Sequence, residues 1–528
     1  MADHIDDHAK LYKNVAKGEQ DTSRRRRTEQ TIELRRQKRG NALNKRRNID
    51  PTADYESEST DMEKCEFFGL HFCYMGLLDV PPKFSCTLPQ AKELLLNNPT
   101  QDILRKVFEH IRRLLSRDKN PPIDEVVNEG LVVALVQALG YPDEKVQYEA
   151  AWALTNVVSG TTRHTQAAVD AGATVALINL ARSTTNHALI DQCFWAVANI
   201  MGDCAVFRDH AISCNIIPVL REFTDNIQSV KVTLARTLAW VCSNICRHKD
   251  PQINHDQMRA VLPAIGNLLT YDDQEVRQDA CWALSYLTDN DDAALEIVLD
   301  ANLLKSVKDL ISSNVDKMVA PALRVFGNFV SGSDHITQVI IDTGILRTAM
   351  PAIMDKSGVV LKEACWMLSN VLAGTVPQIQ AVIDAGLVPK IVFALECGEF
   401  KVKGEAAYAL SNLALSGTQE QVYTLAQAGA LTAVAKLLNV RHVEFLINLL
   451  TIVHALLNSI STLKPDVLEA YKDEFEAAGG IDFVEELQNH ENQKIYEFCY
   501  EIINNYFFQN DDIENDPSMA IESPVFRF

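Results

Sequence analysis

EAAWALTN, residues 149–156, carries a tryptophan with an asparagine one helical turn behind it, and the pair keeps returning. Trp195/Asn199, Trp240/Asn244 and Trp366/Asn370 repeat it. Trp282/Tyr286, Arg324/Asn328 and Tyr408/Asn412 keep the spacing with one member changed. Successive frames lie 43, 45, 42, 42, 42 and 42 residues apart. A fixed period of that length predicts a helical solenoid with two or three helices per unit. Positions i and i+4 share one helix face. Stacked units therefore turn the pairs into a ladder of indoles and carboxamides.

The sequence around each frame fits a three-helix unit. A first helix ends on a small-residue cap, seen as VVNEG (126–130), VDAG (169–172), IDTG (341–344), IDAG (383–386) and AQAG (426–429). Gly at these places suits a helix end that needs a left-handed residue. Stretches such as LVVALVQAL (131–139) and LVPKIVFAL (387–395) are apolar nearly all round, as expected of buried central helices. The ladder helix follows. The expected architecture is all-α: a helical solenoid of repeats with a disordered N-terminal basic arm. The organisation reads as the arm at 1–50, a linker at 51–98 with an atypical apolar segment, about nine to ten repeats over 99–510, and an acidic tail at 511–528.

Charge separates arm from body. Residues 24–47 hold eleven Lys/Arg against two Glu; the chain totals 50 and 70, so the rest holds 39 against 68. Alone, RRRRTEQTIELRRQKRGNALNKRRN (24–48) lacks an apolar face large enough to fold, and it is expected to become helical on a partner. The acidic body argues against nucleic acid as the main partner. Most of the twelve cysteines sit at core-like positions and suggest a reducing compartment rather than a disulfide framework. The start, MADHIDDHAK, does not resemble a signal peptide. The longest apolar run, FFGLHFCYMGLL (67–78), is too short to cross a bilayer, so no membrane insertion is expected. No P-loop, GxSxG, HExxH or Ser/His/Asp arrangement stands out, and Cys242, Cys246, His248 and His255 have only loose metal-ligand spacing. Neither catalysis, nor a cofactor, nor a metal is expected.

A tryptophan at helical spacing is ordinarily core. A matched asparagine one turn later is not explained by core, because Asn is costly to bury without partners and is a mediocre helix former. Its carboxamide both donates and accepts, which suits the backbone of an extended peptide. Packed helices lie about 8–10 Å apart and an extended chain advances about 3.3 Å per residue, so the expected clamp falls roughly every third residue. Slots between indoles accept long apolar stems that end in a cation. Acids complete such a groove: Asp203 follows the Asn199 helix, and Asp279, Glu363 and Glu405 each stand three residues before Trp282, Trp366 and Tyr408. Arg324 in the floor repels a cationic guest and divides the ladder into patches at 152–244 and 324–412.

With these motifs, and with NPPIDEVV (120–127), PALRVFGN (321–328) and HENQKIY (490–496), the chain resembles the importin-α (karyopherin-α) family of nuclear import adaptors. The resemblance covers residues 10–50 and about 80–510. It implies a right-handed armadillo-repeat superhelical solenoid with a groove for mono- and bipartite nuclear localisation signals. The implied major site is Trp152, Asn156, Gly160, Thr165, Gln192, Trp195, Asn199, Asp203, Trp240 and Asn244, with Asp203 pairing the deepest lysine. The implied minor site is Asp279, Trp282, Arg324, Asn328, Glu363, Trp366, Asn370, Glu405, Tyr408 and Asn412. The importin-β-binding and autoinhibitory arm would use Arg24, Arg25, Arg26, Arg27, Arg35, Arg36, Lys38, Arg39, Lys45, Arg46 and Arg47, the last three as an internal pseudo-signal. Implied partners are importin-β, cargo with Lys/Arg-rich signals, and an export receptor of the exportin-2 (CAS) type. The implied location is cytoplasm and nucleus, with passage through the pore. Tyr408 stands where the family usually has Trp, Thr237 where an Asn is common, and 64–86 is unlike the family's polar linker. The rival readings are a catenin-like junction or signalling scaffold, which would need basic walls, and a regulatory subunit of an enzyme, which would not need the arm.

Overall fold

The computed structural model describes residues 46–49, 84–289 and 291–507. The expectations for the arm up to Lys45, for the apolar segment 64–83 and for the tail beyond 507 lie outside the described residues. Among the described residues there are helices and no strand. The described residues divide into two compact units, one up to residue 310 and one from residue 311 on.

Five ladder helices belong to the first unit: α1 (Gln101–Leu115), α2 (Glu144–Val158), α3 (His187–Asp203), α4 (Val232–Cys246) and α5 (Gln274–Leu287). Each packs on the next. The second unit holds α6 (Asp316–Val330), α7 (Gly358–Leu372), α8 (Phe400–Ser416), α9 (Val443–Leu463) and α10 (Gln493–Ile502), again each on the next. Small residues make this approach possible. In α2, Ala150, Ala151 and Ala153 are fully buried beside Leu154 and Val157, which lets the backbones come close and bury apolar area at about 25 cal/mol per Å².

The left-handed caps fall where the glycine pattern places them: Gly130, Gly172, Gly344, Gly386 and Gly429 have φ between 67° and 85°. Two repeats use asparagine instead, Asn215 (φ 66°) and Asn302 (φ 55°), the non-glycine residue that best tolerates this region. The central helices differ from expectation. Val133 is 51% and Phe393 63% exposed. Each of these helices packs on its ladder helix along one side, and its outer edge stays open. A first helix, Leu88–Leu96, lies inside the segment read as linker. Helix α9, at 21 residues, is long and apolar enough to cross a membrane, yet Leu449, Ile452, Val453 and Leu456 are buried inside its own unit, as in a core helix.

Candidate functional site: the tryptophan–asparagine groove

In the first unit the ladder holds a stretch of the chain itself. Asn199 accepts from the Arg46 amide through Oδ1 at 2.7 Å and donates from Nδ2 to the Arg46 carbonyl at 2.8 Å. Asn156 does the same for Asn48, at 2.7 and 2.9 Å. The indoles join the clamp: Trp195 Nε1 donates to the Arg46 carbonyl at 2.8 Å and Trp152 Nε1 to the Asn48 carbonyl at 2.9 Å. The later residue sits on the earlier frame, so the segment runs antiparallel to the repeats.

The clamp engages every second residue rather than every third. Two extended residues span about 6.6 Å, less than the usual distance between packed helix axes. The indole and carboxamide tips are therefore closer together than the helices that carry them.

Each carboxamide is held from behind. Asn199 Nδ2 also donates to the Thr155 carbonyl at 3.1 Å, and Asn156 Nδ2 to Ser116 Oγ at 3.0 Å. Asn244 Nδ2 donates to the Ala198 carbonyl at 2.9 Å. One amide hydrogen ties the asparagine to the preceding ladder helix, which aims the oxygen and the other hydrogen at the guest backbone. The buried carboxamides are thereby satisfied, and this explains an Asn in register better than core packing does.

Side chains add selectivity. The Arg46 guanidinium lies over Trp240, 4.4 Å from the ring centroid, and Nη2 is 3.7 Å from Asp279 Oδ2. Asp279, read from sequence as part of the second patch, thus faces the guest of the first. Asn48 Nδ2 donates to Gln192 Oε1 at 2.9 Å, and Gln192 Nε2 donates to Thr155 Oγ1 at 2.6 Å. Arg47 pairs with Asp118. Asp203 accepts from the hydroxyls of Thr162 and Thr165, both at 2.8 Å. Gly160 has a local reason of its own. A Cβ there would lie 2.3 Å from His164 Nδ1, the atom that accepts from the Thr161 amide and caps the next helix.

The second patch has the same side chains in another state. Arg324 forms a buried ion pair with Glu363 at 2.6 Å, and its guanidinium lies 4.5 Å from the Trp366 ring centroid. Arg324 therefore does more than repel a guest: it covers one face of Trp366. A Cβ at Gly327 would lie 2.0 Å from Trp366 Cζ3, so glycine is required for this ring to seat. Trp366 Nε1 and Asn370 Nδ2 are buried and make no hydrogen bond. Asn412 Nδ2 donates to the Ser369 carbonyl at 2.7 Å, repeating the tie seen in the first unit. Glu405 is 3.9 Å from Lys362. Trp282 and Tyr286, in the first unit, lie tilted against each other with centroids 6.3 Å apart.

Comparison with known proteins identifies the family of the chain. Residues 8–76 match the importin beta binding domain family, residues 119–159, 258–289 and 375–415 the armadillo/beta-catenin-like repeat, and residues 469–520 the atypical Arm repeat. Importin subunit alpha-3 of Caenorhabditis elegans is 40% identical over 504 residues, which cover 96% of this chain and 93% of that protein. This chain belongs to the importin-α family. Importin subunit alpha-2 of the same organism is 39% identical over 323 residues, 61% of this chain and 58% of that protein. The chain spans about half the length of other curated importin-α relatives it matches. A solved engineered protein shares the fold, with a TM-score of 0.68 at 24% identity over 79% of this chain and 98% of its own.

Within this importin-α chain, the sequence pattern missed a frame. Arg112 and Ser116 stand four residues apart on α1, ahead of Trp152/Asn156. Arg112 Nε is 2.7 Å from Glu149 Oε2, and its guanidinium lies 4.5 Å from the Trp152 ring centroid. The signal was present in the i,i+4 spacing and in Glu149, three residues before Trp152, but neither Trp nor Asn survives there to announce it. Thr237, at a family Asn position, donates to the Thr233 carbonyl at 3.3 Å. The thiols of Cys242 and Cys246 are buried, which pushes both pKa values up and disfavours the thiolate a metal would need. Among the described residues no group of three or more His, Cys, Asp or Glu could hold a metal.

Proposed function

We propose that this chain is a nuclear import adaptor without catalytic activity. It binds Lys/Arg-rich localisation signals as extended chains in the first patch, and a second basic cluster in the patch around Trp366, Asn370, Tyr408 and Asn412. Residues of the N-terminal region bind importin-β. When importin-β is absent, Lys45, Arg46 and Arg47 compete with cargo. Return from the nucleus would use an export receptor of the exportin-2 type, so the adaptor shuttles between cytoplasm and nucleus.

The clamp on residues 46–48 carries this reading. Backbone hydrogen bonds from Asn156, Asn199, Trp152 and Trp195 hold any extended chain. The Trp240 face and the Asp279 carboxylate favour a cation between them. Each cation–π contact contributes roughly 0.5–2 kcal/mol, and each hydrogen bond about 1 kcal/mol net. Several occupied slots therefore reach micromolar to nanomolar affinity. Asp203, beside Thr165, supplies the charge for a lysine deeper in the groove.

Fluorescence anisotropy of a labelled lysine-rich signal peptide tests the proposal. The native chain should bind it, and Arg46→Ala/Arg47→Ala should bind it about tenfold tighter because the internal competitor is weakened. Added importin-β should have the same effect on the native chain. Equal, tight binding would keep the adaptor and remove the self-competition. No binding by either protein would overturn the reading.

A further inference from the structure

The groove has an end, and the end is built from a cation of its own. In the first unit the residue clamped on one frame sends its side chain toward the next. Asn48, clamped by Asn156 and Trp152, reaches Gln192; Arg46, clamped by Asn199 and Trp195, reaches Trp240 and Asp279. The two-residue step continues in the other direction as well. A guest residue at position 50 would meet the Arg112/Ser116 frame and present its side chain to the exposed face of Trp152.

That face is already covered. The Arg112 guanidinium lies 4.5 Å from the Trp152 ring centroid, and Arg112 pairs with Glu149 at 2.7 Å, both side chains buried. Arg112 thus does from α1 what Arg46 does from the guest: a guanidinium over an indole, with a carboxylate beside it. The clamp at this frame is spent too. Ser116 is fully buried; its hydroxyl donates to the Arg112 carbonyl at 2.8 Å and accepts from Asn156 at 3.0 Å. The Ser116 hydroxyl has no hydrogen left to offer a further guest residue.

We infer that Arg112 is a register stop: an internal cation that fills the Trp152 slot and so fixes where the C-terminal end of a bound basic segment lies. The same device occurs in the second unit, where Arg324 covers Trp366 and pairs with Glu363, the first tryptophan of that patch. Selectivity then has a sharp edge. Basic residues are read from the Trp152 frame onward, and a basic residue two places beyond the last clamped one gains nothing. This inference rests on the peptide-binding reading of the groove.

The test uses the full chain and two labelled six-residue peptides with the sequence of residues 45–49 followed by Arg or by Ala. The internal segment competes equally with both, so their affinity ratio is unaffected by it. The native chain should bind the two within about twofold, since the slot is filled. Arg112→Ala frees Trp152 and leaves Glu149 to a new cation, so the Arg-ended peptide should bind about tenfold tighter than the Ala-ended one. Arg112→Ala/Glu149→Gln leaves no buried charge unpaired; there the preference should fall to about threefold, from the indole face alone. Helicity and melting report whether each variant folds, and if the single variant does not, the double variant decides. A native chain that already prefers the Arg-ended peptide tenfold would overturn the stop. So would a folded double variant that binds both peptides alike. If the native chain binds neither peptide, it is the groove reading itself that fails.

Discussion

The two patches share a row of asparagines and a tryptophan face, and differ in what those residues touch. In the first, every donor of Asn156 and Asn199 is used, one hydrogen on the preceding helix and one on the segment 46–48. In the second, Trp366 Nε1 and Asn370 Nδ2 are buried with no hydrogen bond, beside the Arg324–Glu363 ion pair. A buried donor without a partner is unfavourable, by about 1–3 kcal/mol. The comparison teaches that the Trp/Asn ladder is not a self-sufficient structural feature. It is complete where the segment 46–48 lies on it, and at Trp366 and Asn370 it leaves buried donors unused.

The largest expected effect breaks the second patch. Arg324→Ala takes its cation away from Glu363, a buried carboxylate whose side chain is 2% exposed. Loss of one partner of such a pair typically costs about 3–5 kcal/mol. Thermal unfolding should show a clear drop, with hydrogen exchange accelerating in α6 and α7. Arg324→Leu/Glu363→Met should recover most of it. A small effect of the single change would mean that water reaches the pair, and that Trp366 is less covered than its geometry shows.

The next effect separates the patches through their asparagines. Asn199→Ala removes two hydrogen bonds to the guest backbone, about 2 kcal/mol in sum, or roughly thirtyfold in peptide affinity. It also removes the tie to Thr155. Asn370→Ala deletes a buried donor that pairs with nothing in its own unit, so stability without peptide should be unchanged or slightly higher. Calorimetric melting of both variants, with and without a basic peptide, checks this. If Asn370→Ala destabilises the peptide-free chain as much as Asn199→Ala does, the contrast between full and unfilled clamps is wrong.

Much of this was legible in the sequence, for identifiable reasons. The 42–45-residue step and the cap glycines announce the repeat, because stacking demands one period and a left-handed residue at each first-helix end. That Asn156 and Asn199 would hold an extended backbone was legible because Asn in register has no apolar explanation. The clamp spacing was not, since it depends on how far side-chain tips converge, which no sequence period encodes. Arg112/Ser116 was not legible either: the frame keeps its geometry while losing both of its signature residues. Asp279 was placed in the wrong neighbourhood by counting, because an acid three residues before one aromatic faces the residue held two frames earlier.

The smallest effect concerns how the ladder helices begin. In the first unit, α2 and α5 start on aspartates. Burial opposes the charge on Asp143, but hydrogen bonds from Gln101, Arg105 and the Lys145 amide outweigh it and hold its pKa at about 2. A hydrogen bond from Arg236 lowers that of Asp273. In the second unit α6, α7 and α8 start on Val315, Ser357 and Glu399, none of which caps through its side chain. A carboxylate whose pKa is depressed on folding stabilises the fold above its unfolded value, near 4, and that stabilisation disappears as pH falls through the folded value. Between about pH 4 and pH 2, α2 should therefore lose protection ahead of α7 and α8, and α5 should begin to do so below about pH 4, with Asp143 contributing about 1 kcal/mol because Arg105 is well solvated. Hydrogen exchange across that range reads the difference, and Asp143→Asn should flatten it for α2 while leaving α5 unchanged. Equal acid sensitivity in both units would show that the caps do not set it. The order of loss matters for the groove, because Asp143 ties α2, which carries Trp152 and Asn156, to α1, which carries Arg112 and Ser116: acid should loosen the closed end of the first patch before it touches the second.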